Sequence, residues 1–121
     1  MKVCVLISTY NGKKYLEEQL QSIVDQIGVS ADILVRDDGS SDRTCEILDV
    51  WQNKGRLKWY GGRNLGFARS FLDLMSHATG YDYYAFCDQD DIWLPDKLKR
   101  AVEKLERFDT PLKLYCSNVY Y

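Results

Sequence analysis

The strongest constraint on the fold is the alternation of two hydrophobic periods along the chain. The continuous apolar run from Val3 to Ile7 is typical of a strand that is buried on both faces of a sheet. Apolar residues at helical spacing follow between Leu16 and Ile27, and Gly28 ends this predicted helix. Because the alternation continues, the sequence predicts an α/β fold with a mostly parallel sheet and helices on both faces.

Four further strands and three further helices are predicted from the same periods. The strands are expected at residues 33–35, 57–60, 83–87 and 113–116. The second helix is expected to follow the capping residues Ser41 and Asp42. The third helix spans residues 67–78, with Phe67 and Phe71 in the core, and the fourth runs from Pro95 to residue 108. The predicted elements leave short connecting loops and one domain.

Composition excludes several classes of function. The 121 residues carry 16 basic and 18 acidic side chains in a mixed order, so nucleic acid is not expected as a partner. Four cysteines without a CxxC pair, together with one histidine, argue against a zinc site and favour a reducing, cytoplasmic compartment. No apolar run approaches the ~20 residues that a membrane-spanning helix needs.

Polar motifs follow three of the predicted strands, at the point where each strand ends. These motifs lie at residues 8–12, 37–42 and 88–91. The carboxyl ends of parallel strands meet at one edge of a sheet, where α/β proteins bind their ligands. We therefore expect the three motifs to form one ligand site.

The motif at residues 88–91 predicts a metal site. Three carboxylates at a strand end would repel one another in a partly dry site, and a divalent cation removes that conflict. Oxygen ligands at this spacing suit Mg²⁺ or Mn²⁺. Asp90 is the main expected ligand, Asp88 contacts either the metal or a ribose, and Asp91 is the substitute ligand.

The other two motifs suggest contacts to a nucleotide. Small side chains around Thr9, Asn11 and Gly12 let backbone amides approach a ligand near a helix N-terminus, and Tyr10 is placed to flank a base. Asp38 is an acceptor for the imide N–H of uracil or thymine. Each motif also has a structural interpretation, as a strand-to-helix turn for the first and a capped turn for the second.

A further loop, around Asn64, precedes the third helix. Arg63 and Arg69 flank it and are candidates to face phosphate groups, although Arg63 is equally well explained as a solvated charge. Trp93 is compatible with a sugar pocket and with packing. These positions complete the set of candidate contacts to a nucleoside diphosphate.

In this order, the motifs make the chain resemble the family 2 glycosyltransferases over nearly all of its length. The motifs are Ser8-Thr9-Tyr10-Asn11-Gly12, Asp37-Asp38-Gly39-Ser40-Ser41-Asp42, Asn64-x-Gly66 and Asp88-Gln89-Asp90-Asp91-Ile92-Trp93-Leu94-Pro95-Asp96-Lys97. The resemblance implies a Rossmann-like GT-A fold that binds a nucleotide-sugar donor with Mg²⁺ or Mn²⁺. It assigns Thr9, Tyr10 and Asp38 to the base, and Asp88 and Asp90 to ribose, diphosphate and metal. Asn11, Asn64 and Arg69, selected from their positions in the loops, complete the predicted donor site.

The resemblance also implies what this chain lacks. Members of the family are usually longer, and their acceptor site and catalytic base lie in the second half. We therefore expect residues 1–121 to be the donor-binding part of a truncated domain, with the base beyond residue 121. The motif at 88–91 is similar to that of bacterial rhamnosyltransferases of cell-surface polysaccharide synthesis, which makes dTDP-rhamnose a candidate donor beside UDP-sugars. The acceptor is then a saccharide or a lipid-linked saccharide at the inner face of the membrane.

Two other classes of protein share parts of this pattern. A Mg²⁺-dependent sugar-phosphate nucleotidyltransferase has a similar fold, but no glycine-rich phosphate loop with lysine or arginine follows the first strand. A non-catalytic receiver-like module needs acidic residues after its first strand, where this chain has Ser8-Thr9-Tyr10-Asn11. Both alternatives therefore fit the first motif less well than a glycosyltransferase does.

Overall fold

The computed structural model describes residues 2–88, 91–106 and the backbone of residues 113–116. Its centre is a sheet of five strands in the order β3-β2-β1-β4-β5, and every neighbouring pair is parallel. The strands are β1 Val3–Thr9, β2 Ala31–Asp37, β3 Lys58–Gly61, β4 Tyr83–Cys87 and β5 Lys113–Cys116. The mostly parallel α/β sheet predicted from the sequence is confirmed.

Four helices connect the strands in the described part of the chain. They are α1 Lys13–Val24, α2 Thr44–Asn53, α3 Phe67–His77 and α4 Lys97–Leu105. The predicted first helix was too long, because α1 ends at Val24 and Ile27 is 62% exposed in the following loop. The N–H of Ile27 donates instead to the carbonyl of Pro95 at 2.8 Å. Residue 108, predicted at the end of the fourth helix, lies outside the described residues.

The two-residue period of the strands divides the core into two layers. Val3, Val5 and Ile7 of β1 face one side, where they pack with the buried faces of α1, α2 and α4. Cys4 and Leu6 face the other side, where α3 packs on the sheet. Helices therefore cover both faces, as predicted, with three helices on one face and one on the other among the described elements.

Helix α3 supplies one correction to the predicted core. Phe71 and Leu74 are buried against the sheet, as the helical period predicts. Phe67, predicted to be in the core, is 62% exposed and contacts Phe71 edge-on, with ring centroids 4.9 Å apart. Phe67 is the first residue of the helix, where the chain has only begun to approach the sheet. No described helix is long and apolar enough to cross a lipid bilayer.

The strand order reverses at β1, so the topology predicts a ligand crevice between the carboxyl ends of β1 and β4. The chain builds outward from β1 through β2 to β3 and then returns to place β4 on the other side of β1. At such a reversal the loops after the two central strands diverge, and ligands of α/β proteins bind between them. The loops after β1 and β4 carry the first and last of the predicted polar motifs.

Candidate functional site

The ends of β1 and β2 are joined by a buried pair of polar side chains. Thr9 and Asp37 are register partners, and the Thr9 hydroxyl donates to Oδ1 of Asp37 at 2.8 Å. The Asp38 N–H donates to the carbonyl of Thr9 at 2.8 Å. Thr9 is fully buried, and both its hydroxyl and its carbonyl are used within the protein. Thr9 therefore holds the ends of β1 and β2 together by contacts within the protein.

Asp37 organises the turn between β2 and α2. Its carboxylate accepts the Ser40 N–H at 2.8 Å and the Ser40 hydroxyl at 2.6 Å. Gly39, inside this turn, has φ +89°, and a Cβ there would lie 3.4 Å from the backbone nitrogen of Asn64. Glycine thus allows the left-handed turn and the close approach of the neighbouring loop. Asp37 is buried and fixes backbone geometry at the site.

Asn11 ties the loop after β1 to the same turn. Its N–H donates to the Ser40 hydroxyl at 2.8 Å, and its side-chain Oδ1 accepts the Ser41 N–H at 2.8 Å. Asn11 has φ 49°, a conformation that asparagine tolerates better than most residues. The structure therefore gives Asn11 a role in joining two loops, and its contact with a donor stays a prediction.

Asp42 joins the N-termini of two helices. Its carboxylate accepts the Thr44 hydroxyl, the Thr44 N–H at 2.9 Å and the Lys13 N–H at 3.3 Å. Although desolvation opposes it, these hydrogen bonds from Thr44 and Lys13, with the Lys13 charge, lower the pKa of Asp42. The N-cap position of α2 is Arg43, so Asp42 binds the first N–H of the helix from one residue before the position at which a cap was predicted. Ser41 does not cap, because its N–H and hydroxyl are directed to Asn11.

Asp38 is 4% exposed, and its two carboxylate oxygens are bonded unequally. Oδ1 accepts Nη1 of Arg36 at 2.7 Å and the Leu65 N–H at 2.8 Å. Oδ2 accepts the Gly66 N–H at 3.1 Å. Because each carboxylate oxygen has two lone pairs, one acceptor position on Oδ2 has no partner among the described residues. From this position Asp38 can accept a ligand N–H.

Arg36, which sequence reasoning did not select, is buried beneath Asp38. Besides Asp38, its guanidinium donates to the Ser70 hydroxyl at 3.0 Å and to the Arg63 carbonyl at 3.0 Å. Its Nε lies 3.3 Å from Oδ2 of Asp73. The available signal was a charged residue directly after the apolar run of β2, before two carboxylates. Arg36 connects β2, the loop before α3 and α3 itself.

Three of the predicted donor contacts lie on the exposed rim. Tyr10 is 48% exposed after β1, Asn64 is exposed in the loop that Asp38 holds, and Arg69 is exposed in the first turn of α3. The backbone amides of Leu65 and Gly66 bind Asp38, so the loop carrying Asn64 is fixed to the end of β2. The rim therefore places an aromatic ring, an amide and a guanidinium around the ends of β1 to β3.

Asp88 directly follows β4 and is half-buried. Its carbonyl accepts Nε2 of Gln19, a fully buried residue of α1, and the Asp91 N–H at 3.2 Å. Gln19 also approaches Sγ of Cys87 at 3.1 Å, and burial raises the pKa of that thiol to about 12. Sequence reasoning missed Gln19, although its position between Leu16 and Leu20 marks a polar residue on the apolar face of a helix.

The predicted metal ligands are described in part. Asp90 lies outside the described residues, and the described residues contain no group of three or more candidate ligands. Asp91 accepts the indole N–H of Trp93 at 3.3 Å, and Trp93 is buried in the core, which supports packing for that residue. Asp88 and Asp91 flank Asp90 in the chain, and carboxylate oxygens are the donor atoms that Mg²⁺ and Mn²⁺ prefer. The donor atoms of Asp88 and Asp91 suit such an ion, and metal binding at this loop stays a prediction.

Comparison with known proteins identifies the class to which this sheet and loop arrangement belongs. The sequence profile of the family described as "Glycosyl transferase family 2" matches residues 4–116. The chain belongs to glycosyl transferase family 2. The family predicted from the four motifs is confirmed, and the nucleotidyltransferase and receiver-like alternatives are set aside.

Two curated relatives act in different sugar transfers, as their names state. The dTDP-rhamnosyl transferase RfbG of Shigella flexneri is 37% identical over 107 residues, which are 82% of this chain and 36% of the relative. The abequosyltransferase RfbV of Salmonella typhimurium is 39% identical over 103 residues, covering 81% of this chain and 31% of the relative. The chain thus spans about a third of the length of these relatives.

Two solved structures share the fold. S. aureus TarS 1-349 in complex with UDP-GlcNAc has a TM-score of 0.77 and 31% identity, over 88% of this chain and 32% of that one. The mannosyltransferase PcManGT of Pyrobaculum calidifontis, in complex with GDP-Man and Mn²⁺, has a TM-score of 0.74 and 28% identity. The match covers 85% of this chain and 32% of that one. The predicted Rossmann-like GT-A fold is confirmed.

Proposed function

We propose that residues 1–121 are the nucleotide-sugar-binding part of a glycosyltransferase that acts in cell-surface polysaccharide synthesis. The observation that carries this proposal is that the loops after β1, β2 and β4 meet at one edge of the sheet, where they carry the exposed Tyr10, an acceptor position on Asp38 without a partner among the described residues, and Asp88. The acceptor of the sugar is a saccharide or a lipid-linked saccharide. Family membership and the two sugar-transferring relatives support the reaction class.

The base of the donor lies against the loops after β1 and β2. Oδ2 of Asp38 accepts the imide N–H of uracil or thymine, and the exposed ring of Tyr10 flanks the base. Thr9 and Asn11 contribute by holding these loops together. A hydrogen bond from the imide N–H to a buried carboxylate discriminates strongly against bases that lack this N–H.

The diphosphate lies between Arg69 and the loop after β4. Arg69 supplies positive charge from the first turn of α3, and Asn64 supplies an amide in the preceding loop. Asp88 and Asp90 hold Mg²⁺ or Mn²⁺, with Asp91 as the substitute ligand. When bound, the metal stabilises the charge of the departing diphosphate. The presence of Mn²⁺ in the PcManGT complex supports this assignment.

The sugar is transferred by a single inverting displacement, in which a base deprotonates the acceptor hydroxyl. We assign this base to no residue of the chain and place it outside residues 1–121. The candidate donors are dTDP-rhamnose, supported by RfbG, and a UDP-sugar, supported by TarS. Free thiols at Cys4, Cys45 and Cys87 support a reducing cytoplasmic compartment, at whose membrane face a lipid-linked acceptor is reached.

Calorimetric binding of UDP and dTDP, with and without Mn²⁺, tests the proposal. We expect metal-dependent binding to the 121-residue chain and its loss in Asp90→Ala. The control is Asp25→Ala, which removes an exposed carboxylate at the opposite end of α1. Absence of nucleotide binding to the folded wild-type chain would contradict donor binding by this part. Equal binding by wild type and Asp90→Ala would contradict the metal site.

A further inference from the structure

The buried Arg36 shares its guanidinium among three parts of the site. Nη1 binds Asp38 and Ser70, Nη2 binds the carbonyl of Arg63, and Nε faces Asp73. Arg36 is 3% exposed, so its charge is compensated by the two carboxylates and not by solvent. The planar fork of arginine can hold all these partners in one geometry, which the single ammonium of lysine cannot do.

The loop before α3 is shaped around this guanidinium. A Cβ on Gly62 would overlap Nη2 of Arg36, so the backbone passes directly beside the charged group. The Gly62 N–H donates to the carbonyl of Asp37 at 3.0 Å, which holds the loop to the end of β2. A side chain at residue 62 would therefore require the guanidinium of Arg36 to move from its observed position.

The same contacts fix the orientation of the Asp38 carboxylate. Arg36 and the Leu65 N–H together use both lone pairs of Oδ1. Rotation of the carboxylate would break the 2.7 Å ion pair with Arg36, in which both side chains are buried. Oδ2 is consequently the oxygen with acceptor capacity left over.

We propose that Arg36 is a positioning residue that sets the base specificity of the donor site by fixing Asp38. This inference rests on the proposed function, since the ligand at Oδ2 is the base of the nucleotide. With Oδ1 saturated, the Asp38 carboxylate presents one acceptor of fixed direction to a ligand. Uracil and thymine offer an imide N–H to it, whereas cytosine offers a bare nitrogen acceptor at the same ring position. Arg36 thus favours uracil and thymine over cytosine without touching the base.

Two variants alter the contacts of the Arg36 guanidinium without removing the positive charge. Arg36→Lys keeps a cation but cannot bind Asp38, Ser70 and the Arg63 carbonyl together. Gly62→Ala keeps Arg36 and forces its guanidinium to shift. Val3→Ala is the control, because it lowers stability from a buried position at the amino end of β1, away from the loops.

The first readout is the ratio of UDP to CDP affinity in Mn²⁺, measured by calorimetry on the 121-residue chain. We expect this ratio to fall about tenfold in Arg36→Lys and Gly62→Ala, the equivalent of one hydrogen bond to a charged acceptor. Val3→Ala should leave the ratio unchanged. An unchanged ratio in both Arg36→Lys and Gly62→Ala would overturn the proposal, even if their melting temperatures fell.

The second readout does not depend on a ligand. In NMR spectra, the amide protons of Leu65 and Gly66 report their hydrogen bonds to Asp38. We expect both signals to shift and to exchange faster with solvent in Arg36→Lys, and to remain in place in Val3→Ala. Unchanged amides would overturn the positioning role. If the wild-type chain binds no nucleotide, the proposed function fails, and with it the specificity role, while the amides still report whether Arg36 fixes Asp38.

Discussion

At the scale of single residues, two buried polar side chains hold the loops that carry the predicted ligands. Arg36 donates a hydrogen bond to the carboxylate of Asp38, and Gln19, on α1, donates to the carbonyl of Asp88. Oε1 of Gln19 is buried without a hydrogen-bond partner among the described residues, which is unfavourable in a core. Such an arrangement is understandable if Gln19 serves the geometry of the Asp88 loop more than the stability of the fold.

Gln19→Leu tests this interpretation of Gln19. We expect the Mn²⁺-dependent affinity for UDP to fall several-fold, about the effect of losing one hydrogen bond that orders the Asp88 loop. The melting temperature should change little, because the substitution also removes the unpaired Oε1. Titration calorimetry and thermal unfolding measure the two effects.

The matched control is Gln21→Leu, which removes an exposed glutamine from the same helix, where its amide donates to Asp25. This variant should bind nucleotide as wild type does. A Gln19→Leu protein that loses stability but keeps its metal-dependent affinity would show that Gln19 is only a packing residue.

At the scale of secondary-structure elements, one carboxylate serves two helix N-termini. Asp42 accepts N–H groups at the start of α1 and of α2, and the Gly12 N–H donates to the hydroxyl of Thr44 at 3.1 Å. Backbone N–H groups at a helix start have no partner within the helix, so such contacts stabilise both ends. The two loops next to the crevice are in this way anchored to each other through α1 and α2.

Asp42→Ala is expected to lower the free energy of unfolding by about 1 kcal/mol at neutral pH, because the first N–H groups of α1 and α2 lose a side-chain acceptor. The pKa of Asp42 is lowered from 3.8 in the folded protein. Its contribution is therefore fully present above 3.8 and is lost as the pH falls through the lower, folded pKa. Urea unfolding of wild type and variant at neutral and acidic pH measures the difference.

The companion variant for Asp42 is Asp42→Asn, because asparagine also caps helices but does not titrate in this range. It should retain most of the stability at neutral pH and show no loss of the cap in acid. A difference between wild type and Asp42→Ala that stays constant down to pH values well below 3.8 would contradict the assigned pKa shift.

At the scale of the whole molecule, the two faces of the sheet are covered unequally. Three described helices pack on one face, and α3 alone packs on the other, where its buried apolar side chains are Phe71 and Leu74, followed by Ala78 directly after the helix. The stability of that second layer should therefore depend on very few residues.

Phe71→Ala should lower the free energy of unfolding by about 3–5 kcal/mol, because it leaves a cavity where few neighbours can collapse. Phe67→Ala should lower it by less than about 1 kcal/mol, since Phe67 is mostly exposed and loses only an edge contact with Phe71. Chemical denaturation of both variants gives the comparison. Equal effects would mean that Phe67 is buried in solution.

The order of elements was predictable because hydrophobic periods are local in sequence. The predicted strand from Tyr83 to Cys87 has the observed bounds, and the strand at 57–60 was displaced by one residue from Lys58–Gly61. The role of Arg36 was not predictable, because its partners Ser70 and Arg63 are 34 and 27 residues away. Ile27 was misplaced because its helical spacing continues after the backbone has left the helix.

The hydrogen bonds between the loops after β1 and β2 bear on the thermodynamics of binding. Amides of Asn11, Gly12, Ser40 and Ser41 donate to side chains within these loops before any ligand arrives. A rim that is already ordered loses little conformational entropy when it closes on a small molecule. We therefore expect this part of the crevice to be preorganised, so that affinity for the base reflects contacts made and not the ordering of the chain.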